Sequence, residues 1–178
     1  KIGVGERSGP VNTTRRTELE PTSTTPIRWS DCAVAAKPDV VNLSLTGPDD
    51  ELLSLLIAKL ISGNAVVVAA ADDSRADGGF PASARGVIAA SAAQGGRTGL
   101  VAPAAEVLST RPLAAFDFYS GSSIAPAYVS GVAALMREAY PQADQSTLTG
   151  WLQSDSTLPC PFRELFIASV DATESCKQ

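Results

Sequence analysis

Residues 119–131 read Tyr-Ser-Gly-Ser-Ser-Ile-Ala-Pro-Ala-Tyr-Val-Ser-Gly, a run of small residues that leads directly into an apolar helix. Gly121 permits a tight bend, and Ser122 or Ser123 can cap a helix predicted from Ile124 to Tyr140. The unpaired N–H groups at the start of a helix favour an anion, including the oxyanion of an acyl-transfer intermediate. A serine in this turn is therefore a candidate nucleophile, and a plain helix cap is the alternative.

Before this turn the sequence alternates between short apolar runs and segments with helical spacing. The apolar runs predict buried parallel strands at 39–45, 65–71 and 87–91, the first of them central in its sheet, and a short fourth strand at Leu100-Val101 or Val107-Leu108. Helices are expected near 28–36, 49–62, 123–140 and 146–153. Strand, helix and strand in succession are typical of a right-handed crossover, so we predict an α/β fold with three layers, a mainly parallel sheet flanked by helices.

The helix expected at 49–62 has the clearest start and end signals. Its first residues are acidic, where the helix dipole favours negative charge, and Gly63 follows its last turn. Its apolar face is predicted from helical spacing to contain Leu52, Leu53, Leu56, Ile57 and Leu60.

Length and composition indicate one compact domain. The chain has 178 residues, of which 44% are hydrophobic and 19% charged, with a formal net charge of −5 and a pI of about 4.7. The basic residues are scattered, which argues against a nucleic-acid partner, and no apolar run reaches the length of a membrane span. We expect a single domain, or the C-terminal portion of one, over residues 1–178, with an edge strand and loop at 1–26 and a tail at 154–178.

Cysteine and histidine limit the chemistry that the chain can perform. Of three cysteines, Cys160 and Cys176 can pair within the tail and leave Cys32 free, or all three can be thiols. The sequence contains no histidine. This excludes histidine-based metal sites and any Ser-His-Asp triad contained within this chain.

The segment Gly121-Ser122-Ser123-Ile124-Ala125, followed by Val129-Ser130-Gly131, resembles the nucleophile motif of the subtilisin-like serine proteases, the subtilases. The family pattern begins Gly-Thr-Ser-Met-Ala, and the resemblance places Ser123 at the nucleophile. Other segments resemble family motifs in the same order along the chain: residues 39–45, residues 66–73, Gly79-Phe80-Pro81-Ala82 and Ala102-Pro103-Ala104. The resemblance extends from about Trp29 to about Leu152.

The resemblance implies roles for individual residues. Ser44, Leu45 and Thr46 would lie along a bound peptide that adds as a β-strand, and Gly79 and Phe80 would belong to the wall of the specificity pocket. Asp73 stands where the family has an Asn whose side chain donates a hydrogen bond to the oxyanion. A carboxyl group donates only when it is protonated. The alternative is that Asp72 and Asp73 are two solvated loop acids.

The catalytic Asp and His of the family belong to motifs that precede the segment matched here, and neither motif occurs in this chain. The resemblance implies a serine endopeptidase that acts through an acyl-enzyme on a peptide or protein, with the Asp and His on a preceding segment or another chain. The alternative is a catalytically inactive relative that binds peptides. A third possibility, an unrelated α/β domain that binds phosphate, lacks a glycine-rich phosphate loop to support it. No cofactor is expected, structural calcium is not indicated, and the resemblance suggests a secreted or periplasmic protein.

Overall fold

The structure is a computed structural model that describes residues 29–92, 99–113 and 115–153. The edge strand and loop expected at 1–26, the tail at 154–178 and the possible pairing of Cys160 with Cys176 lie outside these residues. Of the helices in the described ranges, none combines the length and the apolar character that crossing a bilayer requires.

Four parallel strands form the main sheet, which confirms the predicted α/β class. They are β1 (Val40–Leu43), β2 (Val66–Ala70), β3 (Ile88–Ser91) and β4 (Leu100–Val101), and they lie side by side in that order. Sequential order with parallel pairing requires a crossover between neighbours, and the segment between β1 and β2 supplies one as a helix.

Helices cover both faces of this sheet. They are α1 (Trp29–Ala36), α2 (Glu51–Ser62), α3 (Ile124–Ala139) and α4 (Gln145–Gln153). Buried residues of α3 and α4 form one hydrophobic cluster with the sheet, and buried residues of α2 form a second cluster with partly buried Val34 of α1 packed against it. The three layers predicted from the sequence are therefore present.

Strand β2 supplies side chains to both clusters. Val66 and Val68 belong to the cluster with α3 and α4, whereas Val67 and Ala69 belong to the cluster with α2, and all four are 0% exposed. This division follows from the strand geometry, because successive side chains point to opposite faces of a sheet. Full burial of one valine side chain stabilises the fold by about 1.5–3 kcal/mol.

The first strand differs from the expectation in length and position. It covers Val40–Leu43 rather than 39–45, and among the described strands it is outermost rather than central. Its side chains are only half-buried, and Asn42 is exposed. The apolar run in the sequence therefore reflects contact with neighbouring helices as much as a position inside the sheet.

Two further strands form a separate antiparallel hairpin, β5 (Val107–Arg111) and β6 (Ala115–Tyr119). Of the two segments proposed for a fourth parallel strand, Leu100-Val101 is the one that joins the main sheet. Leu108 lies opposite Phe118 in the hairpin, and Phe116 and Phe118 are each 66% exposed. Phe116 and Phe118 are two residues apart in β6, so their side chains lie on the same face of the hairpin.

The ends of α2 are formed by side-chain and backbone hydrogen bonds near the predicted positions. Asp50 Oδ1 accepts a hydrogen bond from Leu53 N at 2.7 Å and caps the helix, and the Gly63 N–H returns to carbonyls of the last turn. Ile57 and Leu60 are buried as expected, but Leu52 is 51% exposed. Leu52 lies about 100° around the helix from Leu53. The prediction that Leu52 belongs to the apolar face is therefore wrong.

At the amino edge of the sheet, Arg137 joins three elements. Its guanidinium donates to Ala143 O and to Asn64 O, each at 2.7 Å, and lies 3.7 Å from Asp39 Oδ1. Asn64 Oδ1 accepts from Gln145 N at 2.6 Å. These contacts connect the end of α3 to the start of α4 and to the residues that precede β1 and β2.

Truncation of Met136 tests the packing between α3 and the sheet. Met136 is 0% exposed, so Met136→Ala should lower the free energy of unfolding by about 2–5 kcal/mol, because it leaves a cavity and removes buried apolar area. Leu135→Ala is the matched control, since the neighbouring side chain is 51% exposed. Urea unfolding followed by circular dichroism measures both, and equal losses would contradict the assigned helix face.

Asp144 makes the stability of the fold depend on pH. Its carboxylate accepts hydrogen bonds from Thr147 N at 2.8 Å and Ser146 Oγ at 2.9 Å, and these bonds lower the pKa of Asp144 below its ordinary value of 3.8. A lowered pKa in the folded state means that this stabilisation is complete above the unfolded pKa and is lost as the pH falls through the folded one.

We therefore expect Asp144→Ala to lower the melting temperature at pH 7 and to have a progressively smaller effect below about pH 4. Asp144→Asn should retain the hydrogen bond that caps the start of α4 at every pH, because the amide oxygen still accepts from Thr147 N. Thermal unfolding across this pH range provides the measurement. A deficit in Asp144→Ala that does not shrink in acid would show that the carboxylate charge is not the source of the stabilisation.

Candidate active site

Ser123 occupies the N-cap position of α3, at the exposed start of the helix. Its backbone is helical, with φ −70° and ψ −11°, and its side chain makes no capping hydrogen bond. The expected cap by a serine hydroxyl is thus not made by Ser123, and its Oγ is not occupied by the helix end. The turn before it is held by Gly121, whose N–H donates to Ala104 O at 2.9 Å and whose carbonyl accepts from Ile124 N at 3.0 Å.

Gly121 is required at this turn by its backbone conformation. Its φ of +153° lies in a region that residues with a Cβ rarely adopt. A Cβ built on Gly121 would lie 4.0 Å from Ser123 Oγ. The glycine therefore sets the path of the chain immediately beside the candidate nucleophile.

The end of β1 is hydrogen-bonded to the same turn. Ser44 Oγ donates to Ser123 O at 2.8 Å, and Asn42 Nδ2 donates to Ser44 Oγ at 3.0 Å. Ser130 Oγ, two turns along α3, contacts Asn42 Oδ1 at 3.4 Å. The structure thus brings together two of the predicted site residues, Ser44 and Ser123, although they are 79 positions apart in the sequence.

The two predicted substrate-binding segments also lie side by side. Gly47 N donates to Phe80 O at 3.0 Å in an antiparallel bridge, so the residues after β1 run next to the loop after β2. Leu45 is 48% exposed and Thr46 is also exposed, whereas Gly79 and Phe80 are buried. The first segment is therefore open to solvent, whereas the second segment is covered.

A compact polar loop fixes Gly79. The Asp77 carboxylate accepts two hydrogen bonds from Arg75, each at 3.1 Å, and one from Gly79 N at 3.0 Å. The bonds from Arg75, followed by that from Gly79, lower the pKa of Asp77 to about 2. Gly79 has φ +66°, and a Cβ there would lie 3.2 Å from both Arg75 Cδ and Asp72 Cβ, so no larger residue fits without rearrangement.

Asp73, which the sequence resemblance places at the family's oxyanion donor, accepts a hydrogen bond in the structure. Its Oδ1 accepts from Ser91 Oγ at 2.5 Å, and Ser91 is 0% exposed at the end of β3. Asp72, its neighbour, accepts from Ser74 N at 3.0 Å and from Ser74 Oγ at 2.6 Å, which lowers the pKa of Asp72. In these hydrogen bonds the Oδ1 atoms of both carboxyl groups are the acceptors.

Asp73 and Ser123 lie at the same edge of the sheet but are anchored separately. Asp73 is tied to the end of β3 and Ser123 to the residue after β1, with β2 between them. The residues to which they are bonded, Ser91 and Ser44, are two strand spacings apart, which is about 10 Å. That separation is within the span of one bound small ligand.

Three side chains of this site were not singled out from the sequence: Asn42, Ser91 and Ser130. The one signal for Ser91 was that it is the only polar residue in an otherwise apolar strand. Nothing in the local sequence indicated that Asn42 would contact α3. The structure places the exposed Ser123 beside the segment predicted to bind substrate, and the chain has no histidine to remove the proton from the Ser123 hydroxyl.

Comparison with known proteins gives a consistent family. The model of the Subtilase family matches residues 11–169. Subtilisin amylosacchariticus from Bacillus subtilis subsp. amylosacchariticus is 30% identical over 148 residues, covering 74% of this chain and 38% of that protein. Subtilisin DY from Bacillus licheniformis is 33% identical over 136 residues, covering 67% of this chain and 50% of that protein. The chain thus spans about half or less of the length of these relatives.

Two solved structures share the fold. Sphericase superposes with a TM-score of 0.58 at 23% identity, covering 71% of this chain and 52% of that one. The prenylagaramide maturation protease PagA superposes with a TM-score of 0.58 at 22% identity, covering 69% and 54%. Because the family model matches nearly the whole sequence, and because relatives in the family are 30% or more identical over two thirds or more of this chain, this chain belongs to the subtilase family.

Proposed function

We propose that this chain is the nucleophile-bearing part of a subtilisin-like serine endopeptidase, in which Ser123 attacks the scissile carbonyl of a peptide substrate. The observation that carries this proposal is the 2.8 Å hydrogen bond from Ser44 Oγ to Ser123 O. It holds the segment proposed to bind the substrate backbone against the serine proposed to attack it. A helix cap alone would not require this contact with a distant strand end.

The proposed sequence of events begins with a peptide that adds as an extended strand along Leu45 and Thr46. Its scissile carbonyl then meets Ser123 Oγ, which forms a bond to the carbonyl carbon while the serine proton passes to a base. The resulting oxyanion is stabilised by the N–H groups at the start of α3. Because the chain has no histidine, we propose that the base and its Asp partner come from a segment or chain outside this sequence.

Asp73 reduces the catalytic capacity of this arrangement. Where the family has an amide that donates, an ionised carboxylate has no proton to give to the oxyanion and repels its negative charge. Loss of one oxyanion donor lowers the rate by about 10²–10³-fold, a magnitude known from a subtilisin itself. Slow turnover is therefore expected even when a base is supplied.

An inactive peptide-binding relative is the alternative, and the hydrogen bond between Asp73 and Ser91 favours it. If Asp73 is permanently committed to Ser91, the site keeps the substrate groove and lacks the oxyanion donor. Peptide binding and serine reactivity must therefore be measured separately.

The isolated chain should not react measurably with a fluorophosphonate probe, because a serine hydroxyl without a base is a weak nucleophile. Labelling should equal that of Ser123→Ala, which removes the proposed nucleophile. Ser122→Ala is the matched control one residue away. Rapid labelling of the unmodified chain that Ser123→Ala abolishes would mean that another residue of this chain serves as the base.

Imidazole supplied in solution distinguishes the two functions, since it can replace the missing base. Under the endopeptidase proposal, imidazole should produce labelling that requires Ser123 and survives Ser122→Ala. Under the binding alternative, labelling should stay at background while an extended peptide still binds. The identity of the labelled residue is read by mass spectrometry of the digested protein.

Asp73→Asn should raise any imidazole-dependent labelling rate by about 10²-fold or more, because the Asn amide oxygen can still accept from Ser91 while its NH₂ donates to the oxyanion. Asp72→Asn is the control, since that carboxylate is bound to Ser74 and has no proposed contact with the oxyanion. Equal rates for Asp73→Asn and Asp72→Asn would exclude position 73 from the oxyanion site.

A further inference from the structure

A second concave site lies at the opposite edge of the sheet from Ser123. A cavity of about 410 Å³ opens between α1 and α2, and its apolar lining includes Val34, Pro38, Leu60 and Ala65. Pro38 and Ala65 precede β1 and β2, whereas the candidate active site follows the carboxyl ends of the strands. The two sites lie at opposite ends of the strands. A strand of five residues is about 16 Å long, and this length separates them.

Both lysines of the described residues line this cavity. They are Lys37, directly after α1, and Lys59, in the last turn of α2. Among the described residues, Arg75, Arg111 and Arg137 form ion pairs with carboxylates, whereas Lys37, Lys59 and Arg85 do not. The full sequence has 19 acidic residues against 14 basic ones. Both lysines of the described part of the chain are therefore among the residues that line one largely apolar cavity.

Among the described residues, the polar groups near the lysines have other partners. The carbonyls at the end of α2 would repel an anion, but they accept hydrogen bonds from Gly63 N and from Ser62 Oγ. The neighbouring carboxylate, Asp39, is directed to Arg137 at 3.7 Å. Lys37 is held at φ +47°, a conformation uncommon for a residue with a side chain, and this turn carries the chain from α1 into the wall of the cavity.

We propose that this cavity binds a small organic anion with an apolar body, of the class of medium-chain carboxylates. The carboxylate lies between Lys37 and Lys59, and the hydrocarbon body covers Leu60 and Ala65. The volume falls within the range of small-molecule sites, and apolar lining with a few charged groups is their usual composition. The inference does not depend on the activity of Ser123, since the two sites share no residue.

Calorimetric titration of the full chain with sodium octanoate tests the proposal. Octanoate should bind with a stoichiometry of one. Octylammonium, with the same apolar body and the opposite charge, and acetate, with the charge and little apolar body, should each bind at least about tenfold more weakly. Lys37→Gln with Lys59→Gln should weaken octanoate binding by a similar factor, and circular dichroism confirms that the variant is folded.

Two controls separate this site from other surfaces. Arg111→Gln removes an exposed cation from the β5–β6 hairpin and should leave octanoate binding unchanged. Phe118→Ser removes exposed apolar area from the same hairpin and should also have no effect. The proposal would be overturned if octanoate did not bind the unmodified chain or if octylammonium bound equally well. It would also be overturned if octanoate binding survived the loss of both lysines or was lost in Phe118→Ser.

Discussion

Burial of β2 on both faces is the constraint on which the rest of the described structure depends. Val66, Val67, Val68 and Ala69 are 0% exposed, with alternate side chains in contact with the α3–α4 layer and with the α2 layer. A register slip of one residue would exchange these two sets of side chains between the two layers. The pairing of β1 and β3 with β2 is therefore closely specified, and with it the position of the loops that follow the strands.

The candidate active site is a consequence of that alignment. Parallel strands in register end at one edge, where the segment after β1, the loop after β2 and the turn before α3 meet. Short hydrogen bonds complete the arrangement, from Gly47 N to Phe80 O at 3.0 Å and from Ser44 Oγ to Ser123 O at 2.8 Å. The groups proposed to hold a peptide thus come together in this chain, whereas the chain has no histidine to take the proton of Ser123.

The two edges of the sheet differ in charge. At the carboxyl edge, the loop after β2 carries Asp72, Asp73 and Asp77, and only Asp77 is paired with a cation in that loop. At the amino edge lie Lys37 and Lys59. The carboxylates after β2 would oppose an anionic transition state at the proposed nucleophile, whereas the lysines would favour an anionic ligand at the amino edge. The electrostatics of the chain separate the two proposed functions in space.

The sequence by itself determined the parallel α/β class, the buried strand β2, the helix that begins after Ser123 and the end of α2 at Gly63, because each depends on the spacing of neighbouring residues. It also indicated the family and the candidate nucleophile. Only the tertiary structure decided that β1 is outermost among the described strands, that Leu52 is exposed, and that Asp73 is bound to Ser91. It likewise decided that Asn42 and Ser44 reach α3 and that both lysines line one cavity. These contacts join residues 18 to 88 positions apart, and local periodicity carries no information about which distant polar groups will meet when the chain folds.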